Sequence, residues 1–183
     1  MINVANALTM FRIVLVPVFV AALFIDSGES TIWRITAFVI FAVAAITDQV
    51  DGRIARGWNL VTDFGKMADP IADKALIGAA LLGLSILGVL PWWVTIVILA
   101  REIGVTLLRF WVIRHGVIAA SRGGKLKTLL QAVAIGLFTL PDVGALHTVG
   151  WVVMVAAVVA TVVTGLDYVW QAIRLRKSGS ASA

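Results

Sequence analysis

Residues 147–171 read HTVGWVVMVAAVVATVVTGLDYVWQ, 25 positions in which Asp167 is the one charged side chain. A helix needs about 20 mostly apolar residues to cross a hydrocarbon core about 30 Å thick. This stretch meets that requirement. Five further stretches satisfy the same hydropathy and length argument, at 8–25, 32–51, 69–90, 92–114 and 126–141. Polar connections separate them: Asp26, Ser27, Gly28 and Glu29, a longer segment at 52–68, a turn at Leu90-Pro91, a basic segment at 115–125, and Pro141-Asp142. The expected fold is therefore an all-α integral membrane protein with six transmembrane helices. Residues 1–173 are expected to form one membrane domain, followed at 174–183 by a basic, Ser/Ala/Gly-rich disordered tail.

Composition points the same way. Of 183 residues, 61% are hydrophobic, 14% are charged and none is cysteine. Soluble domains carry about a quarter charged residues, so a soluble globular enzyme and a disordered chain are both excluded. So is any Cys-based metal or redox site. The net charge of +5 does not indicate nucleic acid, because the bases cluster between apolar runs and do not form an aromatic-interleaved patch. The first apolar run lacks a basic n-region and is followed by further hydrophobic segments, so a retained helix is expected and not a signal peptide.

Under six spans, Arg53, Arg56, Lys66, Arg114, Arg122, Lys125, Lys127, Arg174, Arg176 and Lys177 fall on one side. The other side carries Asp26, Glu29 and Asp142, with Arg34 as its one base. The positive-inside rule then puts both termini in the cytoplasm.

Charges are costly inside a bilayer, yet five of the ten acids lie between 48 and 73: Asp48, Asp51, Asp63, Asp69 and Asp73. At 100° per residue, Asp48, Asp51, Gly52 and Ala55 share one narrow helical arc, and Gly65, Asp69 and Asp73 share another. Carboxylates are hard ligands, and four of them balance two divalent cations, the composition of a two-metal clamp on a phosphoryl group. With His115 and His147 as the only histidines, a His-rich zinc site is not expected. A plainer alternative is that these acids pair with Arg53, Arg56, Lys66 and Lys74 in a cytoplasmic loop. Pro70 also leaves two possibilities open: Asp69 caps a helix that starts there, or a longer helix kinks there.

The complete spacing from Asp48 is D-x2-D-G-x2-A-R-x8-G-x3-D-x3-D, with all eight fixed positions filled. This resembles the signature of the CDP-alcohol phosphotransferase family, integral membrane enzymes of phospholipid synthesis. The resemblance implies that Asp48, Asp51 and Asp69 ligate two divalent cations, Mg²⁺ or Mn²⁺. It implies that Asp73 completes the second metal's shell and serves as general base. It further implies that Gly52 lets the cytidine nucleotide approach the backbone and that Arg56 neutralises its pyrophosphate. Thr62 is a further candidate contact to the nucleotide, or else a helix N-cap.

The acceptor must be read elsewhere. NVANALTMFRIVLVP at 3–17, AREIGVTLLR at 100–109, SRGGKLKTLLQ at 121–131 and GLDYVW at 165–170 resemble the phosphatidylglycerophosphate synthase branch of that family. Ala5 departs from its usual proline. The branch implies CDP-diacylglycerol as donor, glycerol 3-phosphate as acceptor, membrane lipids as surroundings and a homodimer in the cell membrane with a cytoplasm-facing site. Arg101, Glu102 and Arg109 share an arc on the fourth span, and Lys125 and Lys127 open the fifth. Arg109, Lys125 and Lys127 are candidates for the acceptor phosphate, whereas Arg101 can also be explained by a structural pair with Glu102. Other readings are a phosphatidylinositol-phosphate or cardiolipin synthase and, from a different class, a cation transporter. A transporter, however, should place its carboxylates near the midplane.

Overall fold

The computed structural model describes residues 4–57, 63–112 and 122–179, with side chains described at 8–47, 74–108 and 124–174. Among the described residues there are no strands. Six α-helices follow in order: α1 (Val4–Phe24), α2 (Thr31–Gly57), α3 (Asp63–Ile86), α4 (Trp92–Val112), α5 (Arg122–Thr139) and α6 (Ala145–Gly179). Two stretches among the described residues, Leu8–Gly28 and Ala145–Arg174, are long and apolar enough to cross a membrane, and Thr31–Thr47 and Lys74–Ile86 are shorter apolar segments.

Hydropathy locates the apolar stretches but not the helix ends. The segment expected to be polar connection at 52–68 is helical through Gly57 and again from Asp63. Extending an existing helix adds a bond per residue without a new nucleation cost, so polarity alone does not stop it. Pro70 falls inside α3, in favour of the longer helix over one that starts at Pro70 with Asp69 as its cap. Similarly, α6 runs on through Arg174, Arg176 and Lys177 to Gly179, where the sequence suggested a disordered tail. Alanine, leucine, arginine and lysine are all good helix formers.

The core is built from large apolar side chains of every helix, among them Phe19 and Leu23 of α1, Phe41 of α2, Leu81 and Leu84 of α3, Ile98 of α4, Ile135 of α5 and Met154 of α6. The most extensive pairings are α5 with α6 and α1 with α2, and α1 and α6 also cover α3 and α4 respectively. Outward-facing positions are apolar as well. Ile32, Ile96, Leu107, Val152 and Leu166 are all exposed, as a surface solvated by lipid allows. Buried hydroxyl and amide groups are paired across helices: Ser85 Oγ with Thr95 Oγ1 at 2.7 Å, and Gln131 Nε2 donating to Thr161 Oγ1 at 2.9 Å.

One end of the bundle is fixed by specific contacts. Arg34, near the start of α2, donates to the carbonyls of Phe138 and Thr139 at the end of α5. Between α1 and α2, Asp26 and Ser27 adopt left-handed conformations and Gly28 follows with φ +78°. A Cβ on Gly28 would lie 2.7 Å from Leu87 Cδ1, so the turn is packed directly against the end of α3. A cavity of about 310 Å³ opens at this end, lined by Arg34, Val89, Phe138, Asp142 and His147 among others. The starts of α2 and α6 and the ends of α3 and α5 therefore gather here. The end of α2, start of α3, end of α4, start of α5 and end of α6 lie at the opposite end.

Candidate active site

That opposite end carries the aspartate signature. Its first half, Asp48 to Arg56, occupies the last turns of α2, and its second half, Gly65 to Asp73, occupies the first three turns of α3. The two helices are in contact and are joined by only 58–62. On regular helix, residues 48 and 51 lie one turn apart, as do 69 and 73. The backbone thus brings both halves to one end of one helix pair. The side chains of Asp48, Asp51, Gly52, Arg56, Asp69 and Asp73 lie outside the described residues, and Thr62 lies outside them altogether. Among the described residues no three His, Asp or Glu side chains come together. The donor set itself suits hard divalent cations: four carboxylates, two on each of two helix ends, with a glycine beside each pair.

Deeper in the bundle, described side chains connect this end to a polar cluster. The Lys74 ammonium, one position beyond Asp73, donates to Thr106 Oγ1 on α4. Thr106 Oγ1 in turn donates to the Glu102 carbonyl one turn earlier at 2.7 Å. The Glu102 carboxylate accepts from Arg101 Nη1 at 3.3 Å and from the Lys127 ammonium on α5. Arg101 is held from the other side by α6: its Nη2 donates to Thr164 Oγ1 at 3.1 Å, and its guanidinium carbon sits 5.8 Å from the centre of the Tyr168 ring. Gly165 makes room for it, since a Cβ there would lie 3.1 Å from Arg101 Cγ. Three helices are tied through two adjacent residues.

The proposed acceptor cations fall into different environments. Lys127 is 4% exposed and ion-paired with Glu102. Lys125 is exposed. Arg109 is on α4 two turns beyond Glu102, with its side chain outside the described residues. The Arg101–Glu102 pair considered from sequence is present, but the Glu102–Lys127 pair was not foreseen. Nor was the complete burial of Arg12 on α1, which packs against α2 and α3. The available signal was that an ionisable group inside an apolar span needs a partner. His147 belongs to the far end, where its Nε2 accepts from Trp151 Nε1 at 3.2 Å. His115 lies outside the described residues.

A family model of the CDP-alcohol phosphatidyltransferases matches residues 2–163. The chain belongs to that family. It is accordingly a transferase of phospholipid synthesis that moves a phosphatidyl group from a CDP-activated donor. It is 60% identical over 172 residues to a probable phosphatidylglycerophosphate synthase of Mycobacterium tuberculosis, covering 94% of this chain and 82% of that one. It is 37% identical over 190 residues to the CDP-diacylglycerol–glycerol-3-phosphate 3-phosphatidyltransferase of Bacillus subtilis, covering 95% and 98%. The enzyme of the same name from Rickettsia felis is 39% identical over 171 residues, covering 91% and 93%.

Proposed function

We propose that this phosphatidyltransferase joins CDP-diacylglycerol to glycerol 3-phosphate, giving phosphatidylglycerol phosphate and CMP. The observation that carries the reading is the placement of the two aspartate half-motifs at the same bundle end as a basic cluster on α4 and α5. A donor pyrophosphate and an acceptor phosphate can then meet there. The names of the similar enzymes from Bacillus subtilis and Rickettsia felis support this donor and this acceptor.

In this reading Gly52 admits the nucleotide against the α2 backbone, Arg56 balances the pyrophosphate, and Thr62 contacts the nucleotide from the connecting segment. Arg109, Lys125 and Lys127 hold the acceptor phosphate through charge-assisted bonds. The Asp73 carboxylate takes the proton of the acceptor's 1-hydroxyl as that oxygen bonds to the phosphatidyl phosphorus. The phosphorus–oxygen bond to CMP breaks, and CMP leaves with the electron pair. Asp48, Asp51, Asp69 and Asp73 would hold two divalent cations, Mg²⁺ or Mn²⁺, whose chemistry when bound is to neutralise charge on the transferring phosphoryl group.

The six helices span the cell membrane in this reading, with the aspartate end and both termini in the cytoplasm. The excess of arginine and lysine at that end supports the orientation. Dimerisation is carried over from the family resemblance. The deciding experiment is CMP release by the purified protein from CDP-diacylglycerol, with glycerol 3-phosphate, inositol phosphate or phosphatidylglycerol as acceptor. Release that depends on glycerol 3-phosphate is the expected result. Release with only one of the other acceptors would move the chain to another branch.

A further inference from the structure

Glu102 is assigned no part in the reaction by the reading above, yet it is the residue on which the described charges converge. Its carboxylate receives both Arg101 and Lys127, and its carbonyl receives Thr106, which in turn receives Lys74. Residue 74 directly follows the proposed base, Asp73, on α3. Lys74 and Thr106 therefore tie the turn of α3 that carries Asp73 to the level of Glu102 on α4 and of Lys127 on α5. A small acceptor has its hydroxyl and its phosphate only a few bonds apart, so base and phosphate-binding cation must share such a level.

We infer that Glu102 is a positioning residue for the acceptor, holding the Lys127 ammonium where the acceptor phosphate is received. This rests on the reading that Lys127 binds that phosphate. Three observations support it. Lys127 is almost wholly buried, and an ammonium in such a place needs an anion before any substrate arrives. Arg101 is anchored on α6 by Thr164 and Tyr168, so it fixes the carboxylate in turn. Arg101 and Lys127 bring two cations to one carboxylate, and a phosphate monoester carrying about −1.5 to −2 pairs with cations of this kind. An ammonium has three N–H donors, so the bond to Glu102 does not by itself exclude one to phosphate. Without the carboxylate, Arg101 and Lys127 would face each other as like charges, and the more flexible lysine would swing away.

The test is steady-state kinetics of Glu102→Gln, Glu102→Asp, Lys127→Met and the Glu102→Gln/Lys127→Met double variant, with CDP-diacylglycerol binding measured for each. Glu102→Gln is expected to raise the glycerol 3-phosphate KM about tenfold or more, the scale of one charge-assisted bond. Inhibition by inorganic phosphate should weaken in parallel, the CDP-diacylglycerol KM should hold, and Glu102→Asp should recover part of the loss. The double variant should be no worse than Lys127→Met alone, because Glu102 acts through Lys127. An unchanged KM in Lys127→Met would overturn the acceptor reading itself. A raised KM in Lys127→Met with an unchanged or lowered KM in Glu102→Gln would overturn this inference alone. Loss of CDP-diacylglycerol binding in both single Glu102 variants would also overturn it, since the residue would then serve the bundle as a whole.

Discussion

Arg34 Nε lies 3.0 Å from the carbonyl oxygen of Thr139, a residue 105 positions later in the chain. A second guanidinium nitrogen donates to the Phe138 carbonyl. The last carbonyls of a helix have no intrahelical donor, and inside an apolar surrounding each needs one from elsewhere. Arg34 supplies two such donors to α5 and so pins the start of α2 to the end of α5.

That contact sits at the far end from the aspartates, about 20 Å along α2 from Asp48 at 1.5 Å per residue. Replacing Arg34 with Met should therefore destabilise the protein by about 1–2 kcal/mol, the scale of interhelical polar bonds in membranes. Thermal unfolding in detergent would register it as a lower midpoint. The KM values for both substrates should stay at wild-type levels. A selective rise in either KM would mean that the far end communicates with the site.

The aspartates give a different expectation. If Asp48, Asp51 and Asp69 hold divalent cations, Asn at any one of them should abolish turnover while membrane insertion and helicity remain normal. EDTA should do the same to the wild type, and Mg²⁺ or Mn²⁺ should restore it. Full activity of Asp48→Asn in metal-free buffer is the result that the two-cation reading could not accommodate.

Asp73 should behave otherwise, because a base acts on the acceptor and not on the nucleotide. Asp73→Asn is expected to bind CDP-diacylglycerol and to turn over at least ~10²-fold more slowly. Equal losses in binding and turnover would make it a ligand and nothing more.

Much of this was legible in the sequence, for stated reasons. Apolar runs marked where the six helices lie, because hydropathy registers the surroundings that each helix must satisfy. The signature spacing marked Asp48 to Asp73, because helical periodicity converts it into faces without knowledge of the tertiary fold. Pairings between helices were not legible. Glu102 and Lys127 are 25 positions apart, and their meeting depends on the relative height of α4 and α5, which the chain itself does not print. The left-handed turn at Asp26 and Ser27 was hidden for the same reason: α-helical sterics disfavour it locally, and it accompanies the packing of Gly28 against Leu87. The helical extension of α2 and α3 beyond the apolar runs was missed because polarity marks the edge of a bilayer and not the end of a helix.

The remaining acceptor cations can be ranked by their surroundings. Glycerol 3-phosphate is small, so most of its affinity should come from its phosphate, and each charge-assisted bond contributes about 1.5–3 kcal/mol when shielded from water. Removing such a bond weakens binding roughly 10- to 150-fold. Lys125 is exposed near the start of α5, where water and salt screen its charge. Lys125→Ala should therefore raise the glycerol 3-phosphate KM less than Lys127→Met, and its effect should shrink as ionic strength rises. Arg109 shares the α4 face of Arg101 and Glu102, and Arg109→Ala should fall within the full range. The CDP-diacylglycerol KM should stay level throughout, because the donor is assigned to Gly52, Arg56 and the aspartates. Kinetics of both variants at low and high salt would check the ranking. If neither moves the acceptor KM at any ionic strength, these two cations serve only to orient the chain in the membrane, and the acceptor phosphate is held elsewhere.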